Sequence, residues 1–244
     1  MTFLVRKFSI LMIALIVSAT SALAQSATPL SEERIKELAL EAILENPGVI
    51  EEAIQRLQQV RQDQIQTDIK STIERRRNIL VNDPNAPVLG NPQGDVTLVE
   101  FFDYNCPYCK RAKPELEALL KSDSNVRFVF REWPILGAGS VFAARAALAA
   151  RKQGKYEEFH WALMGFKGRI NEDSTMKVAQ EVGLDVDQLK TDMDAPEVSK
   201  HIQVSMQLAQ ELNIAGTPAF VIGDEVYPGL LTRDQLASAV AANR

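Results

Sequence analysis

The sequence predicts an α/β fold in which a helical segment interrupts a sheet. Val96–Phe102 and residues 126–131 are rich in β-branched and aromatic side chains, which is typical of buried strands, and a helical pattern lies between them. A longer helical pattern covers residues 140–211, and two short strand patterns follow it. Strands that resume after a helical insertion indicate one α/β domain, which we expect over residues 83–244.

The first 24 residues are typical of a cleaved secretory signal. Arg6 and Lys7 precede an apolar run over residues 8–17, and residues 22–24 read Ala-Leu-Ala, as at a signal cleavage site. The run is short for a membrane span, and an uncleaved membrane anchor is the alternative interpretation. We therefore expect a mature chain that begins near Gln25 and resides in a bacterial periplasm.

The charge balance argues against nucleic acid as a partner. Without Arg6 and Lys7, 25 basic residues stand against 32 acidic ones, so the mature net charge is about −7. The one dense basic cluster, residues 75–77, is interpreted as a solvated helix face. An acidic chain of this kind lacks the basic surface that binds phosphate backbones.

Residues 25–82 predict a helical stalk and linker. Ser31, with two glutamates after it, is a typical helix start, and an Asn-Pro-Gly interruption at residues 46–48 separates two helices. The second helix carries a narrow apolar stripe, which packs either on the main domain or on copies of itself. We expect the polar residues 61–77 to form a movable connector. The stripe comprises Ile50, Ile54, Leu57, Ile65, Ile69 and Ile73.

Short elements follow the insertion. Ala219–Ile222 and residues 225–227 flank a Gly-Asp pair, which predicts a hairpin. Residues 232–242 predict a final helix. The sheet is therefore expected to receive its last strands from the end of the chain.

Cys106 and Cys109 are the only cysteines in the chain. A disulfide across so short a loop removes little chain entropy, so the pair predicts chemistry rather than a structural crosslink. A zinc site needs four ligands, and the distant His160 and His201 fit no tight ligand pattern, so we expect each to be a hydrogen-bonded helix residue. Copper(I) held by the two thiolates remains an alternative to redox chemistry.

The position of Cys106 favours redox chemistry. It lies where strand gives way to helix, so the unpaired N–H groups of the helix favour its thiolate and lower its pKa. Cys109 lies three residues later on the same helical face and can attack a mixed disulfide formed at Cys106. Pro107 fits the first helical turn, where no N–H is needed. No cofactor beyond this dithiol is expected, since the chain has no dinucleotide fingerprint.

Several motifs carry a family resemblance. Residues 99–109 read Val-Glu-Phe-Phe-Asp-Tyr-Asn-Cys-Pro-Tyr-Cys, Pro114 follows in the helix, and residues 216–220 read Gly-Thr-Pro-Ala-Phe. Together they resemble the DsbA-like branch of the thioredoxin superfamily, over residues 85–244. The resemblance implies a thioredoxin fold with an inserted helical domain, and thiol–disulfide oxidoreductase activity.

The same resemblance implies roles for further residues. Thr217 and Pro218 occupy the place of a cis-proline loop that binds substrate, although a trans proline at a strand start is the alternative. Glu100 occupies the place of a buried acid that assists proton transfer, and an ordinary strand-edge glutamate is the alternative. Pro107 and Tyr108, between the cysteines, are implied to tune how far the reduced state is favoured.

Residues 45–54, Glu-Asn-Pro-Gly-Val-Ile-Glu-Glu-Ala-Ile, add a second resemblance, to the N-terminal helical segment of ScsC-type proteins. In those relatives the segment assembles oligomers that act as disulfide isomerases. The resemblance implies a homo-oligomer, with a trimer expected, that acts on unfolded or misoxidised exported proteins and is reset by a membrane redox partner. A monomeric oxidase that donates its disulfide is the alternative.

Overall fold

The computed structural model describes residues 30–244, so the signal peptide expected over residues 1–24 lies outside the described residues. The chain divides into two units, Met1–Val60 and Arg61–Arg244. Within the described residues the elements are α1 (Glu32–Glu45), α2 (Gly48–Asn82), β1 (Val88–Gly90), β2 (Val96–Phe102), α3 (Pro107–Ser122), β3 (Val126–Glu132), α4 (Ala138–Ala150), α5 (Tyr156–Gly165), α6 (Glu172–Glu181), α7 (Val186–Asp192), α8 (Pro196–Glu211), β4 (Ala219–Ile222), β5 (Glu225–Pro228) and α9 (Arg233–Ala242).

The described part of the first unit consists of α1 and the beginning of α2. Ser31 starts α1 as expected, because its hydroxyl accepts the backbone N–H of Arg34 at 3.2 Å. The backbone N–H of Asn46 closes the helix by donating to the Ala42 carbonyl at 3.1 Å. Every described residue of this unit is exposed. These helices therefore gain no stability from side chains buried within their own unit.

A five-stranded sheet organises the second unit. The strand order is β1-β3-β2-β4-β5, with β2 and β3 parallel and the other neighbours antiparallel. The predicted strand–helix–strand unit is present, since α3 connects β2 to β3. The sequence did not predict β1, because its three residues form a strand only through pairing with β3.

The central strands separate two hydrophobic cores. Leu98 and Phe102 face the core shared with α3 and the inserted helices, whereas Val99 and Phe101 face the opposite side. Burial on both faces explains the nearly continuous apolar composition of β2 and β3. The insertion consists of α4 to α8, which lie between β3 and β4 in the chain. The α/β class with a helical insertion is confirmed.

The second half of α2 differs from the expected polar connector. Ile69, Ile73 and Leu80 are at most 7% exposed and pack in the second core with residues of β2 and α8. This half of the helix therefore belongs to the second unit, which begins at Arg61 rather than at residue 83. The polar side chains that suggested a connector occupy the outer face of an amphipathic helix.

A buried ion pair fixes the C-terminal end of α2. The guanidinium of Arg131, which is 0% exposed, donates to Asp83 Oδ2 at 2.7 Å, to the Leu80 carbonyl at 3.0 Å and to the Ile79 carbonyl. Although burial raises the pKa of Asp83, the nearby His201, whose Nδ1 lies 3.7 Å from Oδ2, and hydrogen bonds from the Asn85 N–H and Arg131 hold it well below its ordinary value. Arg131 therefore caps the helix and neutralises the buried carboxylate together.

Among the helices of residues 30–244, none has the length and apolar content that crossing a bilayer requires.

Candidate active site

Cys106 lies at the N-terminus of α3, immediately after the turn that leaves β2. Its backbone N–H donates to the Asp103 carbonyl at 3.0 Å, which closes the turn. Its sulfur is the N-cap of the helix and accepts the backbone N–H of Cys109 at 3.4 Å. Pro107 occupies the first helical turn, as the sequence predicted. Both cysteines are free thiols and are nearly inaccessible, with Cys106 4% exposed and Cys109 1% exposed.

The two thiols are shifted in opposite directions. Hydrogen bonds to the Cys106 sulfur, foremost from the Cys109 thiol and then from helix N–H groups, outweigh burial and lower the pKa of Cys106 to about 5. Burial, together with the neighbouring Cys106 thiolate and Glu100, raises the pKa of Cys109 far above its ordinary value. Cys106 is therefore ionised at neutral pH, whereas Cys109 remains a protonated thiol.

We expect Cys106 to titrate near pH 5. Thiolate absorbance near 240 nm, or the rate of alkylation, should reach half its maximum there and stay constant above about pH 7, because hydrogen bonds from the Cys109 thiol and then from the helix N–H groups stabilise the charged form. Alkylation that rises only toward pH 8.5, as for a free thiol, would show that these hydrogen bonds do not activate the sulfur. Cys109→Ser is the matched control, because its hydroxyl keeps a donor beside Cys106.

The Thr217–Pro218 loop borders the thiols. Its peptide bond is cis, in agreement with the expectation from sequence. The Cys106 thiol donates to the Thr217 carbonyl at 3.2 Å. The Pro218 carbonyl accepts the backbone N–H of Gly229 at 2.9 Å, which ties the loop to the end of β5. A loop held this close to the sulfur can contact a bound client chain.

Glu100 is a buried acid rather than a strand-edge glutamate. It is 1% exposed, and neither carboxyl oxygen has a hydrogen-bond partner among the described residues. Burial, with a smaller contribution from Cys106, raises the pKa of Glu100 to about 8. Its charge in turn raises the pKa of Cys109, so the two groups share one electrostatic environment. Glu100 can therefore exchange a proton near neutral pH.

Tyr108, between the cysteines, points outward. It is 52% exposed, and the Arg111 guanidinium lies 4.2 Å from the centre of its ring. Pro107 is exposed as well, so both residues between the cysteines lie at the surface.

Asp103 is a buried hub that the sequence analysis missed. One carboxylate oxygen accepts the backbone N–H groups of Ile135 and Leu136 at 2.8 and 2.9 Å. The other accepts the Ser140 hydroxyl and the Asn105 N–H, each at 2.7 Å. One side chain thereby joins the cysteine turn, the loop after β3 and the start of the insertion. A motif position three residues before Cys106 was the only available signal.

A second feature that the sequence did not predict is a polar cluster around Glu132. We name it the Glu132 cluster, and it consists of Glu132, Tyr104, Tyr156 and His160. Glu132 Oε1 accepts the hydroxyls of Tyr104 at 3.0 Å and Tyr156 at 3.1 Å. The Tyr104 oxygen lies 3.0 Å from His160 Nδ1. Burial lowers the pKa of His160 to about 3 and raises that of Glu132 well above its ordinary value. The expectation of a hydrogen-bonded helix histidine is correct for His160.

Within residues 30–244, no group of three or more His, Cys, Asp or Glu side chains is placed to hold a metal ion. The copper alternative therefore depends on Cys106 and Cys109 alone.

Comparison with known proteins shows which family this chain belongs to. Residues 97–241, more than half of the chain, match the DsbA-like thioredoxin domain. The chain belongs to the DsbA-like thioredoxin family. The DsbA-like resemblance and the thioredoxin fold are thereby confirmed. The DsbA-like domain places its cysteines, its cis-proline loop and Glu100 at one end of the sheet, where β2 ends and α3 begins.

Solved structures support the same relationship. A thioredoxin-like oxidoreductase from Silicibacter pomeroyi is 63% identical, with a TM-score of 0.67, covering 68% of this chain and 96% of that one. A linker-deletion variant of ScsC from Proteus mirabilis is 29% identical, with a TM-score of 0.68, covering 89% of this chain and 98% of that one. These neighbours support a DsbA-like chain of the ScsC-type branch.

Curated relatives fall into two kinds. Disulfide bond formation protein D of Bacillus subtilis is 27% identical, covering 63% of this chain and 75% of that protein. The Na⁺/H⁺ antiporter NhaA 1 of Salinispora arenicola is 29% identical over 64% of this chain, which spans only 24% of the antiporter. The chain therefore covers about a quarter of the antiporters that it matches, and the likeness concerns a domain.

Proposed function

We propose that this protein is a thiol–disulfide oxidoreductase that acts on exported proteins through Cys106 and Cys109. The observation that carries the proposal is the asymmetry of the two thiols, since an ionised sulfur at a helix N-terminus lies beside a protonated one that is more deeply buried. Membership in the DsbA-like family and the likeness to a disulfide bond formation protein support it.

The proposed reaction begins at Cys106. Its thiolate attacks a client disulfide, one client sulfur leaves as thiolate, and a mixed disulfide joins Cys106 to the other client sulfur. Cys109 then loses its proton to Glu100 and attacks Cys106, which breaks the mixed disulfide and places the electron pair on the client sulfur. The enzyme ends as a disulfide and the client as a dithiol. The reverse sequence donates a disulfide to the client. If another client thiolate attacks the mixed disulfide and displaces Cys106 as a thiolate, the client disulfide is isomerised.

We propose that the protein acts as a disulfide isomerase, because the first unit exposes apolar surface that could join several copies. Its helices expose apolar side chains that none of residues 30–60 covers, and the same surface of a second copy would bury them. A homo-oligomer, a trimer by likeness to ScsC-type proteins, would present several dithiols to one client and raise their effective concentration. The exposed side chains are Leu30, Ile35, Leu38, Leu40, Ile43, Leu44, Val49, Ile50, Ile54, Leu57 and Val60.

The resting redox state of the dithiol tests this direction. An isomerase must keep Cys106 reduced in order to attack, and a membrane redox partner in the periplasm would supply the electrons. Rapid acid quenching of cells, followed by alkylation with a mass-tagged maleimide, should show Cys106 and Cys109 mainly reduced. A mainly oxidised pair would instead support the monomeric oxidase. Cys109→Ser, with one reactive thiol, calibrates the mass shift.

A further inference from the structure

Glu132 and Glu100 face the same compartment of the second unit. In the parallel pairing of β2 with β3, Glu100 lies opposite Phe130 and Phe102 lies opposite Glu132, so both carboxyl groups point to the same face of the sheet. The strand spacing and a two-residue offset place their Cα atoms about 8 Å apart. Three of their four carboxyl oxygens have no protein partner among the described residues. A single bound water would connect groups placed in this way.

The Glu132 cluster reaches a cavity on the far side. Tyr156, whose hydroxyl donates to Glu132, also lines a cavity of about 570 Å³. The cavity lies beside β1, at the edge of the sheet, and Val88 and Leu89 contribute to its wall. Tyr156 is 6% exposed and belongs to α5, whereas the cysteines lie on α3. The cluster thus shares a face of the sheet with Glu100 and includes one residue that lines the cavity beside β1.

The exchange reaction requires a route by which a proton can leave the site. Cys109 is 1% exposed, and a client bound at Cys106 would cover the front of the site. The proton that Cys109 loses therefore has no direct route to solvent. Glu100 can hold that proton, but it must release it before the next turnover, and its own oxygens are fully enclosed.

We propose that the Glu132 cluster carries protons between Glu100 and the cavity beside β1 during thiol–disulfide exchange. This inference rests on the proposed function. When Cys109 attacks the mixed disulfide, its proton passes to Glu100, a bond forms between the two enzyme sulfurs, and the bond from Cys106 to the client breaks. The two cysteines are oxidised and the client sulfur is reduced, leaving as a thiolate. Glu100 then passes its proton to Glu132, which hands it to the Tyr156 oxygen as the Tyr156 hydroxyl proton leaves for solvent, the final acceptor, on the side of the cavity.

Groups from several elements surround Glu132. Its backbone N–H donates to His201 Nε2 at 3.2 Å, which fixes the end of β3 against α8. The titratable groups that face its carboxyl are Glu100 on β2, Asp103 and Tyr104 in the turn before α3, and Tyr156 and His160 on α5. Glu132 acts through Glu100 and does not touch the reacting sulfurs.

The test uses the full mature chain with Glu132→Gln, Tyr156→Phe and, as a matched control, Tyr227→Phe. The control also removes a tyrosine hydroxyl that donates to a glutamate, but this bond, to Glu225 at 2.7 Å, is exposed on β5. A mixed disulfide between Cys106 and a model peptide is formed, and release of the peptide thiol is followed by rapid quench between pH 5 and 9. We expect both cluster variants to release the peptide about tenfold more slowly and with an altered pH profile. Glu132→Asp should restore part of the rate.

The outcomes distinguish a proton relay from a purely structural role of the Glu132 cluster. Cluster variants with the wild-type rate and pH profile would overturn the relay, and so would a slower rate with an unchanged profile, which a purely structural role predicts. If Glu132→Gln does not fold, as judged by near-ultraviolet circular dichroism, Tyr156→Phe decides alone. A wild-type chain that neither reduces nor oxidises the model peptide would overturn the proposed function, and the relay with it.

Discussion

Replacing Cys109 with alanine is expected to trap clients on the enzyme. Cys106 keeps its place at the start of α3 and still attacks, but no second thiol can release the mixed disulfide. Turnover should fall by at least about a hundredfold, because release then depends on an external thiol. Non-reducing electrophoresis of the periplasmic fraction, with mass spectrometry of the trapped species, measures the accumulation.

Cys106→Ala is the paired control. Cys109 is almost fully buried and its pKa is raised, so this variant should form few mixed disulfides. Abundant trapping by Cys106→Ala, with little by Cys109→Ala, would reverse the assignment of nucleophile and resolving thiol. Equal trapping by both would show that burial does not distinguish the two sulfurs.

Removing residues 25–60 is expected to produce a monomer that retains dithiol chemistry and loses at least about tenfold of its activity on scrambled disulfides. The deletion removes the exposed apolar side chains of the first unit, which we propose as the contact between copies. It ends at residue 60, because Ile69, Ile73 and Leu80 belong to the second core. Light scattering measures the assembly, and refolding of a scrambled client measures the activity.

Point substitutions provide a milder form of the same test. Ile54→Lys places a charge on the proposed contact and should dissociate the oligomer, whereas Gln55→Lys places the same charge at a polar position on another face of the helix. A full-length mature chain that is monomeric at micromolar concentration would contradict the proposal. So would a monomeric deletion variant that isomerises as fast as the oligomer.

Local patterns in the sequence predicted much of the fold and the reactive centre. The strand limits of β2 and β4, the helix after Cys106 and the N-cap at Ser31 depend on near neighbours, and each lies where it was expected. The cysteine pair was visible for the same reason, since both members lie in one helical turn. The role of nucleophile that we propose for Cys106 also follows from a local property, because this residue lies at the start of the helix.

The features that were missed depend on distant partners. Glu132 lies 28 residues from Tyr104, whose hydroxyl it accepts, and Arg131 lies 48 residues from Asp83. No local pattern reveals which of many charged residues will be buried against each other. The second half of α2 was misjudged for a related reason, because a thin apolar stripe does not tell whether its partner is another copy or the chain's own sheet.

The low pKa of Cys106 has an electrochemical consequence. A thiol with a pKa of about 5 is almost wholly ionised at pH 7, which stabilises the reduced enzyme by roughly 3 kcal/mol relative to an unshifted thiol. The disulfide has no ionisable proton and gains nothing, so the standard potential of the couple rises by about 60 mV. Electrons delivered to this dithiol are therefore retained in preference to an unperturbed pair. As the pH falls through about 5 the thiolate is protonated and this contribution disappears. The increase in the standard potential is therefore present at neutral and alkaline pH and is lost in acid.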